Sequence, residues 1–477
     1  MTKVHLRLSL LFVATLALSG CASFTGDGGM SLVEDMTAAR LGQQATALRS
    51  EDDAADAASR VKTLLAKPLT ADTAVQIALL NNRDLQAAYN ALGVAEARRV
   101  RASLPANPVV SLSRVSGGGG GGAFEIERQV AVNILSLATL PVRADIATDR
   151  FQQAQLQAVA ETLRVAIETR QAWVQAVSAR ALANFLVQSQ SSAEAAADLS
   201  KRLGESGAIN KLDQARNQVF YAELTAQLGT ARKRVETTKE TLTRALGLWG
   251  DDLNFRLPSD LTALPSRPRV MATIEAQAVK QRIDLEIARL ELAALSKSYG
   301  LSGATRFINL LEVAGISNKK QEAEGDAVTE RGLGVEFQIP IFDLGEANVR
   351  ESEQAYRQAV NRLIAKAVAV RSEARAAYHE YRAAYDIARH YQREVLPLRK
   401  IISDETLLRY NAMQIDVFGL LSEARARIQS TAAAIEATRD YRLSETALAS
   451  AVIGGAASLS SDMDSSTVAA AEPAGGH

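Results

Sequence analysis

The sequence predicts a mainly α chain with a β-barrel contribution, in which long antiparallel helices are joined to four strands of membrane-crossing length. Three observations lead there. Residues 141–203 and 347–409 carry long seams of apolar side chains at helical spacing. Residues 124–134 and 333–341 alternate apolar and polar side chains over the length a tilted strand needs to cross a bilayer. The order helix, strand hairpin, helix pair then occurs twice along the chain.

At the N-terminus, Lys3 and Arg7 precede the apolar run Leu8 to Leu18, which is too short to span a bilayer as a helix and reads as a secretory signal peptide, residues 1–20. The signal ends Leu18-Ser19-Gly20-Cys21, which resembles the bacterial lipobox, and Cys21 is the only cysteine of the chain. Lipidation of Cys21 is therefore expected. Ala22 stands where lipoproteins retained at the inner membrane typically carry Asp, so the expected destination is the outer membrane. One cysteine also excludes an intramolecular disulfide and any thiolate zinc cluster.

Residues 21–69 are small and polar, with the acidic cluster Glu51, Asp52, Asp53 and Asp56, and read as an extended leader from the lipid anchor. A first repeat follows over 70–257. It contains a helix over 70–103 that stops at Pro105 and Pro108, a strand hairpin over 107–134, and helices over 141–203 and 210–246. Pro258, Pro265 and Pro268 mark a linker, 258–269. The second repeat, 270–453, offers a helix over 271–298, a hairpin over 305–341, a long helix over 347–409, and a return helix to 452; residues 454–477 form a disordered tail. Asn82-Arg83-Asp84-Leu85 and Arg282-Ile283-Asp284-Leu285 fall at corresponding places in the two halves.

Val360, Leu363, Ala367, Val370, Ala374, Ala377, Tyr381, Ala384 and Ala388 step by three and four, the heptad spacing of coiled-coil packing. Val159, Leu163, Ala166, Trp173 and Val177 make one stripe on the earlier helix, while Ala160, Ile167, Val174 and Ala181 make another. Two stripes require two neighbours. In the strands, Phe124, Ile126, Val130 and Val132 alternate with Glu125, Glu127, Gln129 and Ala131, with Arg128 the exception on the apolar face. Leu333, Val335, Phe337, Ile339 and Ile341 alternate with Gly334, Glu336, Gln338 and Pro340. Their partners are placed at 107–116 and 305–314, and Gly117–Gly122 and the polar stretch 316–331, with Lys319 and Lys320, are read as exposed loops. Four strands cannot close a membrane barrel, whereas three copies supply twelve. A homotrimer follows if the strands span lipid.

Composition narrows the alternatives. The chain has 477 residues, 47% of them hydrophobic, which supplies a core, but only 5% are aromatic, so Ala and Leu must do the packing. Lys plus Arg and Asp plus Glu number 54 each, and a net charge of zero offers no nucleic-acid footprint. Mean hydropathy of −0.04 argues against a helical polytopic membrane protein but leaves a β-barrel open. Neither a Gly-x-Ser-x-Gly elbow nor a His-Glu-x-x-His pair is present, and His379 and His390 are too far apart along one helix to share a metal. The sequence therefore predicts no catalytic residue, metal ligand or cofactor.

Local motifs sharpen this pattern. Leu104-Pro105-Ala106-Asn107-Pro108 enters the first strand, Gln338-Ile339-Pro340-Ile341-Phe342-Asp343-Leu344-Gly345 leaves the fourth, and Leu212-Asp213-Gln214-Ala215-Arg216 lies at the first return turn. In this order, from Cys21 to about Ile453, the chain resembles the TolC-like outer-membrane efflux proteins, particularly their lipoprotein members. The resemblance implies a homotrimer with a twelve-stranded outer-membrane β-barrel and a periplasmic α-barrel, whose far tips meet a periplasmic adaptor protein and an inner-membrane pump. It implies a passive exit duct. The tips fall at Gly204, Gly207, Asn411 and Met413, which are the candidate adaptor-docking residues. Asp213, Arg216, Asp416, Glu423 and Arg425 are the charged candidates for a periplasmic aperture. The family's usual acidic positions in the second half fall here on Gly419 and Ser422. Asp213 reads equally as a partner of Arg216, and Asp416 as the N-cap of the return helix. Glu373 reads as an exposed mid-helix charge. The other class compatible with the heptads is a periplasmic coiled-coil adaptor or scaffold lipoprotein, which would lack the strand hairpins.

Overall fold

The computed structural model describes residues 23–116, 123–321 and 326–454. The signal peptide with Cys21, the six glycines 117–122 and the tail 455–477 lie outside the described residues. In chain order the principal elements are α1 Met30–Leu41, α2 Glu51–Leu65, α3 Ala71–Asn81, α4 Arg83–Ala102, β1 Val109–Ser116, β2 Phe124–Asn133, the short α5 Ile134–Ala138, α6 Leu140–Glu205 and α7 Lys211–Leu246. The second half holds α8 Ile274–Gln281, α9 Ile283–Ala304, β3 Leu310–Gln321, β4 Val328–Gln338, α10 Glu346–His390, α11 Leu396–Asn411 and α12 Val417–Ile453. No described helix is long and apolar enough to cross a membrane.

The chain forms two compact units. One gathers residues 23–32, 90–157 and 285–366 and contains the sheet; the other gathers 33–89, 158–284 and 367–454. The sheet is antiparallel throughout, in the order β1-β2-β3-β4. In its unit, Glu96 is buried and accepts hydrogen bonds from the amide and hydroxyl of Thr25, each at 2.6 Å, while Lys297 pairs with Asp149 at 2.6 Å.

The second unit is where the expected leader is corrected. Residues 33–69 are largely helical and packed rather than extended: Val33, Thr37 and Val61 are buried, and Gln86 clasps the segment by accepting from Leu48 N at 2.9 Å and donating to Thr46 O at 3.0 Å. The acidic cluster is the first turn of α2. Ser50 and Asp53 form a capping box there, and Glu51 and Asp52 add negative charge at the positive end of the helix dipole.

The expected single helices over 70–103 and 271–298 are each broken. Asn82 (φ −67°, ψ 118°) and Arg282 (φ −69°, ψ 122°) leave helical geometry in the same way, and each amide still donates to a carbonyl four residues back, Ala78 and Ala278. The C-terminus of a return helix seats on each break. A Cβ added at Gly247 would lie 2.7 Å from Asn81 O, and one added at Gly454 would lie 3.4 Å from Ile283 N.

Two further expectations change. The polar stretch 316–331 is mostly strand, because β3 and β4 keep pairing as far as Lys319 with Thr329 and Lys320 with Val328. The partner strand expected at 305–314 accordingly begins later and runs further. The helix expected over 347–409 contains a π turn at Tyr391–Val395, just before Pro397 at the start of α11. Proline lacks the amide that the helical ladder requires, and the wider turn accommodates the gap. The linker 258–269 is fastened to its unit: Tyr385 donates to Pro265 O at 3.0 Å, and Arg269 N donates to the Tyr381 hydroxyl at 3.0 Å.

Candidate functional site

The two return turns have one geometry. After α6, Gly207 adopts φ +74° and Ala208 N donates to Leu203 O at 2.8 Å; after α11, Met413 adopts φ +58° and Gln414 N donates to Arg409 O at 2.8 Å. Both are left-handed helix C-caps. Asn210 then caps α7 by accepting from Asp213 N at 2.8 Å, and Asp416 caps α12 by accepting from Gly419 N at 2.9 Å. The helix expected to end at 203 runs on through Gly204 to Glu205. Gly204 lies within the helix, where a Cβ would come 2.8 Å from the Gln214 side chain, so its role is close approach. Asn411 is the last residue of α11, and Met413 is 94% exposed in a conformation that non-glycine residues seldom adopt.

The charged candidates fall into separate pairs. Asp213 accepts from Arg216 at 3.2 Å, and the Arg216 guanidinium lies 4.7 Å from the centroid of the Phe418 ring, joining the N-terminal ends of α7 and α12. Arg425 pairs with Glu223 at 3.3 Å and stands over the Phe220 ring at 5.1 Å. Glu423 is mostly buried and pairs with Arg399 at 3.2 Å, while its Oε1 has no hydrogen-bond partner among the described residues. Phe220 belongs to a core that joins α6, α7 and α12 through Leu186, Leu224, Leu228 and Leu421. Asp416 is used as a cap and joins none of these pairs.

Sequence reasoning missed Arg399, Glu223, Phe220 and Phe418. A signal existed: in an antiparallel helix pair, residues at similar distances from the turn come near one another, and Arg399 faces Ser430 across the turn at Met413, close enough for its long side chain to reach Glu423 as well. Glu373 is an exposed mid-helix charge, as expected, and it also pairs with the buried Arg282.

The register of the sheet divides its side chains between two faces. On one, Val110, Val130, Gly315 and Leu333 form a row, with Val132, Val313 and Val335 in the next and Leu311 and Phe337 beyond. Val110 (71%), Leu333 (84%) and Val335 (62%) are largely exposed. The other face carries Glu125, Glu127, Glu312, Glu330 and Glu336 around the buried Ala131 and Ala314. β1 and β4 each have one strand neighbour, so each leaves an unpaired edge within the chain.

No family model and no curated protein matches the chain. Solved structures do. The outer-membrane channel OprN superposes with a TM-score of 0.70 at 17% identity, over 83% of this chain and 92% of that one. CmeC, an outer-membrane channel of Campylobacter jejuni, gives 0.66 at 17% identity over 83% and 89%. VceC, an outer-membrane protein of Vibrio cholerae, gives 0.68 at 14% identity over 83% and 97%. The fold is that of the TolC-like outer-membrane channels. In this TolC-like fold the four strands form the sheet with the apolar face, and the two return turns join the long helices of the other unit.

Proposed function

We propose that the chain is an outer-membrane exit duct that passively conducts substrates delivered by an inner-membrane pump and a periplasmic adaptor. One observation carries this reading: a four-stranded sheet with two open edges and an exposed apolar face, in a chain with the fold of outer-membrane channels. Open strand edges cannot be left unsatisfied in hydrocarbon, and a homotrimer of twelve strands closes them. Cys21 is the lipidation site in this reading and anchors the chain to outer-membrane lipid. Gly204, Gly207, Asn411 and Met413, in and beside the two return turns, are the adaptor-docking tips, with Asp213, Arg216, Glu423 and Arg425 holding the aperture beside them; Asp416 serves there as a cap. The adaptor or scaffold alternative gives no account of the two apolar hairpins.

The deciding experiment combines mass and conductance. In mild detergent the protein is expected at about three times its 51.0 kDa protomer mass and to give discrete conductance steps in planar bilayers. A monodisperse monomer with no conductance would return the scaffold reading. Within the trimer, Glu423→Gln and Arg425→Gln are expected to raise single-channel conductance, whereas the exposed Glu380→Gln leaves it unchanged. Equal conductance in all three would place the constriction elsewhere.

A further inference from the structure

Arg128, out of place on the apolar face in the sequence, has company in the structure. The register sets Leu112, Arg128, Ser317 and Arg331 in one cross-strand row, and Arg114, Ile126, Lys319 and Thr329 in the next. Arg114, Arg128, Lys319 and Arg331 thus share the face that bears Val110, Val130 and Leu333. They lie on its side nearer the β1–β2 and β3–β4 hairpin connections. No acidic side chain of the four strands occupies that face, since all five glutamates are on the other, where Glu125 pairs with Lys320 at 3.6 Å. The acidic side chains of the strands are therefore confined to one face, and the cations of the other face are gathered toward one end of it. Arg114, Arg128 and Arg331 are exposed, and Arg114 also lies over the Phe124 ring at 5.1 Å.

The spacing suits a lipid headgroup. Arg128 and Arg331 are two strands apart, about 10 Å, and the two rows are about 7 Å apart along the strand. From Arg331 to Gln338 the strand covers about 23 Å, which at a tilt of about 40° is about 18 Å of height, most of the outward apolar band of an outer-membrane barrel, and the exposed Ile339 and Ile341 continue the apolar side chains beyond the strand end. Guanidinium groups placed there meet the headgroup level at the hairpin end of the sheet. Four cations with no acid of the strands among them make a patch of positive potential, and phosphate accepts the paired donors of arginine.

We propose that Arg114, Arg128, Lys319 and Arg331 form a belt that binds the phosphates of the phosphorylated glycolipid of the outer leaflet, lipid A. The inference rests on the exit-duct reading, because it needs the apolar face to contact lipid. The test uses the full-length trimer in mild detergent, with bisphosphorylated lipid A, its dephosphorylated form, or phosphatidylethanolamine as the added probe, and lipid retained per trimer read by native mass spectrometry. The wild type is expected to retain bisphosphorylated lipid A at least about tenfold better than either other lipid. Removing one guanidinium, by Arg128→Gln or Arg331→Gln, is expected to weaken retention about fivefold. Arg128→Lys keeps most of it, and Lys320→Gln on the opposite face changes nothing. Competition by inorganic phosphate at matched ionic strength would reassign the belt to a free anion and overturn the lipid proposal. A trimer that conducts yet retains all three lipids equally, or is indifferent to Arg128→Gln and Arg331→Gln, overturns the belt alone. A chain that neither trimerises nor conducts overturns the duct and the belt together, so the two failures are distinguishable.

Discussion

The breaks at Asn82 and Arg282 have nearly the same backbone and quite different chemistry. At the first, neutral amides serve the end of α7: Asn81 donates to Gly247 O at 2.6 Å and Asn82 donates to Ala245 O at 3.2 Å, while Asn82 Oδ1 accepts from Leu85 N at 3.0 Å. At the second, the Arg282 guanidinium is buried and donates to both carboxylate oxygens of Asp284, at 3.0 and 2.8 Å, and to Glu373 on α10. Burial alone would lower the pKa of that guanidinium, but the hydrogen bonds and charges of Asp284 and Glu373 outweigh it and hold the value above the ordinary one. A broken helix needs its freed polar groups satisfied, and the two halves meet the same need by different means. The backbone is the shared device, and the side chains are free to differ around it.

The two means should fail by different amounts. Removing one member of a buried ion cluster strands the other charge, and Arg282→Ala is expected to destabilise the second unit by about 3–5 kcal/mol. Asn82→Ala loses neutral hydrogen bonds and should cost about 1–2 kcal/mol. Chemical unfolding in detergent, followed by far-ultraviolet circular dichroism, compares them. Equal losses would mean that the ion cluster is no more than a substitute set of hydrogen bonds.

These breaks also mark how far the sequence could be read. The correspondence of Asn82-Arg83-Asp84-Leu85 with Arg282-Ile283-Asp284-Leu285 was visible, as were the helix pairs and the strands at Phe124 and Leu333. The kinks were not, because neither glycine nor proline marks them and Asn82 and Arg282 are both compatible with a helix interior in sequence terms. Their extended ψ is imposed by the helix ends packed against them, Gly247 in one case and Gly454 in the other. The leader was misread for a related reason: its acidic cluster suggested solvation, while Ser50 three residues before Asp53 already spelled a capping box. At the return turns, the caps Asn210 and Asp416 follow from local rules. The partners Arg399, Glu223 and Phe418 depend on which helix lies alongside.

The seated glycines permit a second comparison of the breaks. Gly247 has φ +67°, and its added Cβ would meet a backbone carbonyl, which no side-chain rotation relieves. Gly247→Ala is therefore expected to cost about 2–4 kcal/mol, combining left-handed strain with overpacking. Gly454, at φ +91°, has its nearest neighbour at ordinary contact distance, so Gly454→Ala should carry backbone strain alone, about 1–2 kcal/mol. Thermal midpoints of the two variants in one detergent would order them. A larger shift for Gly454→Ala would show that the second break, not the first, is the tighter seat.

The smallest expected effect separates the two carboxylates around Arg282. The Asp284 side chain is 8% exposed and that of Glu373 is 48% exposed, though both reach the same guanidinium. Solvent screens the outer one, so Glu373→Gln, which keeps an acceptor, should cost no more than about 1 kcal/mol. That loss should shrink as salt rises, since an exposed charge is screened within about 10 Å at moderate ionic strength. Asp284→Asn should cost more, with little dependence on salt, because the charge it removes is shielded from ions by the protein. If Glu373→Gln proves as damaging as Asp284→Asn, and as insensitive to salt, then Glu373 is an integral member of the buried cluster. The second break would then depend on α10 as heavily as the first depends on the end of α7.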